Sequence, residues 1–204
     1  MASSVVAARI TEAHRVQQAR VGAQMVLQMQ QIWPLLDPTN LDGSFDRWFG
    51  TARPLIAANQ AESSRIAANY LRVFKQVEMA GGSAAPISLA ERLAAEQAAT
   101  SLLVTGPVRI KNAMSVGVPL AQAAETAMAT SSASAMRLAL DGGRTTLMRS
   151  IAKDKQAVRW SRVTSAKPCS FCAMLAGRGA VYKSDTVQFE AHDHCMCSAE
   201  PAYR

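Results

Sequence analysis

The sequence predicts a mainly α protein: a long helical body followed by a small C-terminal module that contains short β segments. Three observations carry this expectation. The 204 residues are 49% hydrophobic but only 5% aromatic. Much of the apolar content is alanine, which favours helices packed through small side chains and argues against an all-β domain. Apolar residues recur at helical spacing over most of positions 1–158. Every cysteine of the chain falls between Cys169 and Cys197, so the last stretch follows a different rule. Charged residues make up only 18%, which excludes disorder driven by charge. No uninterrupted apolar run is long enough to span a membrane. The opening segment, Met1 to Arg9, lacks a basic stretch followed by an apolar one, so no secretory signal is expected.

Each element follows from local chemistry. Ser3 and Ser4 can cap a first helix in which Val6, Ile10, Ala13, Met25, Met29 and Ile32 recur at helical spacing. Trp33-Pro34 should end it, because the residue before a proline is pushed out of the α region, and Asp37 to Asn40 reads as a turn. A second helix starts near Asp42 or Ser44 and reaches about Met79, with a kink expected at Pro54. Gly81 to Pro86 is a break. Ser88 and Glu91 have the spacing of a capping box opening a third helix toward Val104. Gly106-Pro107 punctuates it, a shorter piece runs from Val108 to about Val116, and Gly117 to Pro119 breaks the chain again. A helix from Leu120 to Leu140 is expected to close at Asp141-Gly-Gly, and another from Arg144 to about Val158 leads into the module. The division is therefore 1–158 for the helical body, with breaks near 33–41, 80–87, 105–107, 117–119 and 141–143, and 159–204 for the C-terminal module.

The net charge of +7 is concentrated: residues 137–183 hold 10 basic and only 2 acidic groups. Arg137, Arg144, Arg149, Lys153, Lys155, Arg159 and Arg162 could present a positive face to DNA or to an acidic protein surface. Their spacing selects no single helical stripe, and a solvated helix face is the plainer account.

Cys169-x2-Cys172 forms a tight turn that aims two thiolates at one point, and His192, His194, Cys195 and Cys197 follow after 19 intervening residues. Clustering at such spacing, with no export signal, points to metal ligation and not to a disulfide framework. Six candidate donors serve four tetrahedral positions, and soft thiolates with borderline imidazoles suit Zn²⁺. Cys169 and Cys172 are the firmest ligands. His192 and Cys195 are favoured from the second half, then Cys197, then His194, since consecutive donors such as His194 and Cys195 point the same way only across a sharp turn. Four protein ligands leave no open position, so the expected zinc is structural and the module is a zinc knuckle. Such a site contributes about 10 kcal/mol or more of apparent binding energy to folding. Phe171, Leu175, Val181, Tyr182 and Phe189 are expected to form a small apolar shell around the metal.

The Cys-x2-Cys-x2-Leu unit, the Gly177-Arg-Gly-x-Val-Tyr182 segment and the His-x-x-Cys-x-Cys element ahead of Pro201 resemble the phage Mu F-like (MuF) head morphogenesis proteins. The likeness is closer to minor capsid proteins of tailed phages of actinobacteria. Those often carry an Asp-Gly-Gly-Arg segment and a Trp-x-Arg-Val-Thr segment, matched by Asp141-Gly-Gly-Arg144 and Trp160-Ser-Arg-Val-Thr164. The resemblance is specific over residues 140–204 and looser around Trp33 to Asp37 and Trp48. It implies a minor virion protein encoded beside the portal, acting at the portal-proximal interior of the head, with the portal, major capsid or scaffold protein as partner. It aligns His192, Cys195 and Cys197 with the family element. Asp193 stands where the Mu type has proline, and His194 is an extra donor. Members of this size are often labelled capsid maturation protease.

Enzyme chemistry finds less support in the residues. No His-Glu-x-x-His pair exists. A serine protease would have to use His14, which is expected to be solvated on a polar helix face. A Cys–His pair of Cys169 or Cys195 with His192 would have to forgo zinc. A zinc hydrolase would need a water in the fourth position, with Asp193 or Glu190 as base. A His-metal finger nuclease is excluded, because only ten residues follow His194 and its helix has no room.

Overall fold

The computed structural model describes residues 4–80, 82–165, 167–183 and 189–204. Ser3 and Gly81, which figured in the sequence reading, lie outside these. The fold is mainly helical with a small C-terminal sheet. Three long helices, α1 (Val5–Ile32), α2 (Leu41–Glu78) and α5 (Leu120–Lys153), pack against one another along their lengths. The shorter α3 (Ala95–Leu103) and α4 (Arg109–Ser115) cover one end of this bundle. Strand β1 (Ala157–Val163), helix α6 (Ser170–Gly177) and strand β2 (Ser198–Tyr203) sit at the other.

The first boundaries follow the local signals. The Ser4 side chain accepts the Ala7 N–H and caps α1. The helix gives way to a 3₁₀ turn at Trp33–Leu35 around Pro34. Asn40 caps α2 by accepting the Gly43 N–H. α2 then continues through Pro54. Gly50, whose carbonyl Pro54 cannot serve, lies on an exposed face open to solvent.

Three expectations about breaks are corrected, each by a tertiary contact. No helix opens at Ser88; residues 83–94 are irregular and α3 begins at Ala95. The backbone N–H groups that a helix would use here are taken by neighbouring helices. Ser88 N–H donates to Ser150 Oγ, Ala90 N–H to Thr146 Oγ1 and Leu93 N–H to Gln60 Oε1. The presumed capping residues are also engaged, Ser88 Oγ by Lys153 and Glu91 by Arg149. Gly106-Pro107 does not end a helix either. It forms a π turn, Val104–Val108, that feeds directly into α4. Proline offers no N–H, the turn widens, and the Thr105 carbonyl is caught by the Thr130 hydroxyl at 2.9 Å.

The third correction matters most. Asp141-Gly-Gly does not close a helix: α5 runs unbroken through it. A Cβ on Gly142 would stand 2.3 Å from the Gln60 carbonyl oxygen, and one on Gly143 would stand 2.6 Å from Ser63 Oγ. The two glycines are there because α2 crosses α5 at this point with no room for a side chain. Ser63 Oγ donates to Gln18 Oε1 at 2.7 Å and accepts the Gly143 N–H at 3.0 Å, while Gln18 Nε2 donates to the Ser63 carbonyl. One buried hydroxyl thus joins all three long helices.

On one side of this crossing the core holds Met25, Met29, Trp48, Ile56, Leu102, Ile110 and Leu138. On the other, Tyr70, Leu71, Phe74, Leu147 and Ile151 from the helices share one cluster with Trp160, Tyr182 and Ala199 from the C-terminal segment. β1 and β2 pair antiparallel with Trp160 opposite Pro201, and Trp160 also exchanges backbone hydrogen bonds with Tyr182. Thr11 donates to Glu200 at 2.7 Å and lies 3.0 Å from the Tyr70 hydroxyl, tying β2 to α1 and α2. Lys75 and Asp154, both buried, form a two-point ion pair that joins the ends of α2 and α5. The C-terminal segment is therefore packed on the bundle and shares its core.

His14 is also corrected: it is buried, not solvated. Its ring stacks on Tyr70 at a centroid distance of 4.3 Å, and Gln18 Nε2 lies 3.2 Å from its Nε2. The polar residues that made this face look exposed are facing other polar residues inside the bundle. Burial lowers the His14 pKa to about 4.

Two predictions follow from the packing. Gly142→Ala gains about 1 kcal/mol of helix propensity but must displace α2, at a cost of about 3 kcal/mol. It should therefore lower the melting temperature by several degrees in calorimetry, whereas Gly50→Ala, with open space around it, should not. His14 in the unfolded chain takes up a proton below its ordinary pKa near 6.5, while the folded protein refuses it until about pH 4. Its contribution to stability is thus complete above pH 6.5 and lost as the pH falls toward 4, by about 3 kcal/mol. Urea titrations of wild type and His14→Gln should show a shallower acid loss in the variant.

Candidate metal centre

The C-terminal donors are assembled by two short pieces of chain. Cys169 is the N-cap of α6; its Sγ accepts the Cys172 N–H at 3.4 Å, which folds the Cys-x2-Cys turn and sets both sulfurs on one side. The second piece is the irregular loop 189–197. It turns back on itself through the Cys195 N–H bonded to the His192 carbonyl, with His194 at a left-handed φ of 64°. That turn carries the exposed His194 outside the donor groups and brings Cys195 and Cys197 inward. Two groups of donor atoms result, each within 4.8 Å: Cys169, Cys172 and His192, and Cys172, Cys195 and Cys197. Five of the six expected donors converge, and Cys172 belongs to both groups.

The spacing suits a metal. Donors on a tetrahedron with ordinary zinc–sulfur and zinc–nitrogen lengths stand about 3.5–3.8 Å apart. Cys172 Sγ lies 3.7 Å from His192 Nε2 and 3.9 Å from Cys195 Sγ, and Cys169 Sγ lies 3.2 Å from His192 Nε2. His192 Nδ1 donates to the Asp193 carbonyl at 2.6 Å, so the lone pair is left on Nε2, the nitrogen that faces the sulfurs. This cluster could hold a metal ion.

The sulfurs hold their protons unequally. The Cys172 N–H, and then His192, lower the Cys169 pKa to about 7. Cys195 is lowered to about 5, first by the hydrogen bond it receives from the Cys197 thiol, with the Arg144 charge contributing. The same bond pushes Cys197 up, and burial pushes Cys172 up. The His192 pKa is raised, chiefly by the Asp193 carbonyl and then by Cys169. A metal ion would displace the remaining protons, so binding must weaken in acid.

The surroundings differ from the expected apolar shell. Leu175, Tyr182 and Phe189 pack in the core shared with the bundle, and Phe189 also covers the buried cysteines. Phe171 and Val181 point to solvent. The basic stretch is likewise not one open face. Arg144 and Arg162 are buried. Arg162 stacks over Phe189 at 4.0 Å and donates to the Glu190 carbonyl. Arg144 donates to the carbonyls of Cys195 and Cys197 and to Asp141. Arg137 pairs with Asp193 at 2.8 Å. Arg149 pairs with Glu91, and Lys153 donates to Ser88. Only Lys155 and Arg159 of the seven stand exposed without one of these contacts. Sequence reasoning treated these arginines as surface charge. The signal that could have separated them is their place inside the Asp141-Gly-Gly-Arg144 and Trp160-Ser-Arg-Val-Thr164 segments.

Compared with known families, residues 5–204 match the model described as VG15 protein. The chain belongs to the VG15 family. The match covers the helical bundle and the loop of candidate donors together, within a family of viral proteins. No curated protein and no solved structure matches the chain. Among the described residues of the VG15 chain, no helix is long and apolar enough to cross a membrane.

Purified protein is expected to carry about one metal ion per chain, and chelation should lower its melting temperature by about 10 °C or more. Cys172→Ser, which breaks both donor groups, should abolish metal content measured by plasma mass spectrometry. His194→Ala should leave it unchanged. Unchanged melting after complete metal loss would show that the ion does not hold the fold.

Proposed function

We propose that this VG15 protein is a minor capsid protein of a phage head, a structural component at the portal-proximal interior whose C-terminal loop is fixed by Zn²⁺. The ion would be held by Cys172 with three of Cys169, His192, Cys195 and Cys197. The observation that carries the structural role is the burial of three of the four sulfurs: Cys172, Cys195 and Cys197 are 2%, 3% and 5% exposed, while the exposed Cys169 lies 3.2 Å from His192 and is taken up as a metal donor in this reading. Thiols so covered cannot reach a peptide bond, and five donors for four positions leave no place for a catalytic water. Of the two carboxylates that could serve a zinc hydrolase, Asp193 is engaged by Arg137. A groove of about 520 Å³ opens beside it, but its walls are Thr100, Ser101, Thr105, Ser134 and neighbouring side chains, without a thiol or an imidazole. The family match over residues 5–204 and the motifs shared with MuF-like proteins support the virion reading.

The partners that fit are the portal protein and the major capsid or scaffold protein. A positive face for packaged DNA reduces to Lys155 and Arg159 with the exposed Lys167, Arg178 and Lys183, enough for contact without sequence preference. The runner-up reading, a capsid maturation protease, has a direct test. Heads are assembled by co-expressing capsid and portal proteins with and without this chain, and the capsid protein is weighed intact. The expected outcome is an unchanged capsid mass with this chain retained in portal-containing heads. A capsid protein shortened only when the chain is present would replace the structural reading with the protease.

A further inference from the structure

The metal loop has almost no regular backbone structure of its own, yet three of its carbonyls are held by buried arginines. Arg162 takes that of Glu190, and Arg144 takes those of Cys195 and Cys197. Arg144 is 5% exposed and uses its whole fork: Nε reaches the Cys197 carbonyl at 3.1 Å, Nη2 the Cys195 carbonyl, and Nη1 Asp141 Oδ1 at 2.8 Å. Its guanidinium is thus fixed from both sides, by a carboxylate of its own helix and by two peptide groups that flank Met196. Those two peptide groups belong to the residues whose thiols enter the metal cluster. The turn of α5 that presents Arg144 is the one that Gly142 and Gly143 press against α2, so the fork is mounted on the most closely packed part of the bundle.

Resting on the proposed metal centre, we propose that Arg144 is its positioning residue. By bonding the carbonyls of Cys195 and Cys197 together, it sets both thiols toward Cys172 before the ion arrives, and Asp141 aims the fork. The planar guanidinium can bridge two carbonyls two residues apart; a lysine ammonium has the charge but not the fork. The buried cation also offsets the negative charge that three or four thiolates bring to one divalent ion. Outer partners of this kind typically change metal affinity 10- to 100-fold when removed.

The test uses the full chain with Arg144→Lys and, as a milder change that leaves the guanidinium in place, Asp141→Asn. Zn²⁺ affinity is measured by competition with a chromogenic chelator, and the thiolate-to-metal and d–d bands of the Co²⁺-loaded protein are recorded at a temperature where circular dichroism shows full helix content. The expected result is a loss of affinity of about tenfold or more for Arg144→Lys, a smaller loss for Asp141→Asn, and altered Co²⁺ bands in both. If Arg144→Lys does not fold, Asp141→Asn decides the matter alone. Wild-type affinity and bands in a folded variant would overturn the role of Arg144 while leaving the metal centre intact. Failure of the wild-type chain itself to bind Zn²⁺ or Co²⁺ would remove the metal centre and this role with it.

Discussion

The Ser63 hydroxyl, buried where α1, α2 and α5 meet, is the contact on which the rest of the molecule is arranged. It donates to Gln18, accepts from the Gly143 backbone, and sits where neither Gly142 nor Gly143 could carry a Cβ. A polar knot inside a helical bundle is stable only when every donor and acceptor finds a partner, and such a knot admits few alternative registers. A one-residue slide of α5 in either direction would put a side chain against the Gln60 carbonyl or against Ser63, and would remove the Gly143 N–H from the Ser63 hydroxyl. The stretch of α5 that leads into the crossing is lined by Ala123, Ala127 and Ser131 to Ala135, which pack closely but specify register weakly. The crossing supplies what those side chains cannot.

From that fixed point the fold reaches the loop of candidate metal donors by a short mechanical path. The same turn of α5 places glycines toward α2 and Arg144 toward Cys195 and Cys197. Arg137, on the same helix, holds Asp193, and Arg162 of β1 lies across Phe189. Buried arginines are costly unless their donors are satisfied. Arg144 meets this with the carbonyls of Cys195 and Cys197 and with Asp141, whereas Arg162 gives one bond to the Glu190 carbonyl, lies over Phe189, and leaves its Nε without a hydrogen-bond partner. Part of the charge excess of the C-terminal half, Arg144 and Arg162, thus serves the inside of the protein.

This economy of contacts favours a part that holds shape over one that turns over substrate. Three of the four thiols are buried, Asp193 is paired with Arg137, and the C-terminal strands complete a core begun by the helices. These features fit the proposed minor capsid role, in which a defined surface persists among other proteins.

Much of this was legible in the residues. The helical class, the cap at Ser4, the stop at Trp33-Pro34, the turn at Asp37 to Asn40, and the convergence of cysteines with His192 all depend on signals carried by short stretches of sequence. What the sequence could not decide was every case in which a local signal met a distant partner. Ser88 and Glu91 have the spacing of a cap, yet Ser150, Thr146 and Gln60 claim the backbone that the helix would have used. Asp141-Gly-Gly reads as a stop because glycine usually ends helices, but here it marks the closest approach of two of them. His14 looks solvated because its neighbours are polar, and those neighbours turn out to face one another. Local composition determined which segments fold and which donors can meet a metal. Only tertiary structure decided which glycines are hinges or contacts and which charges are surface or scaffold, because those roles belong to pairs of residues far apart in the chain.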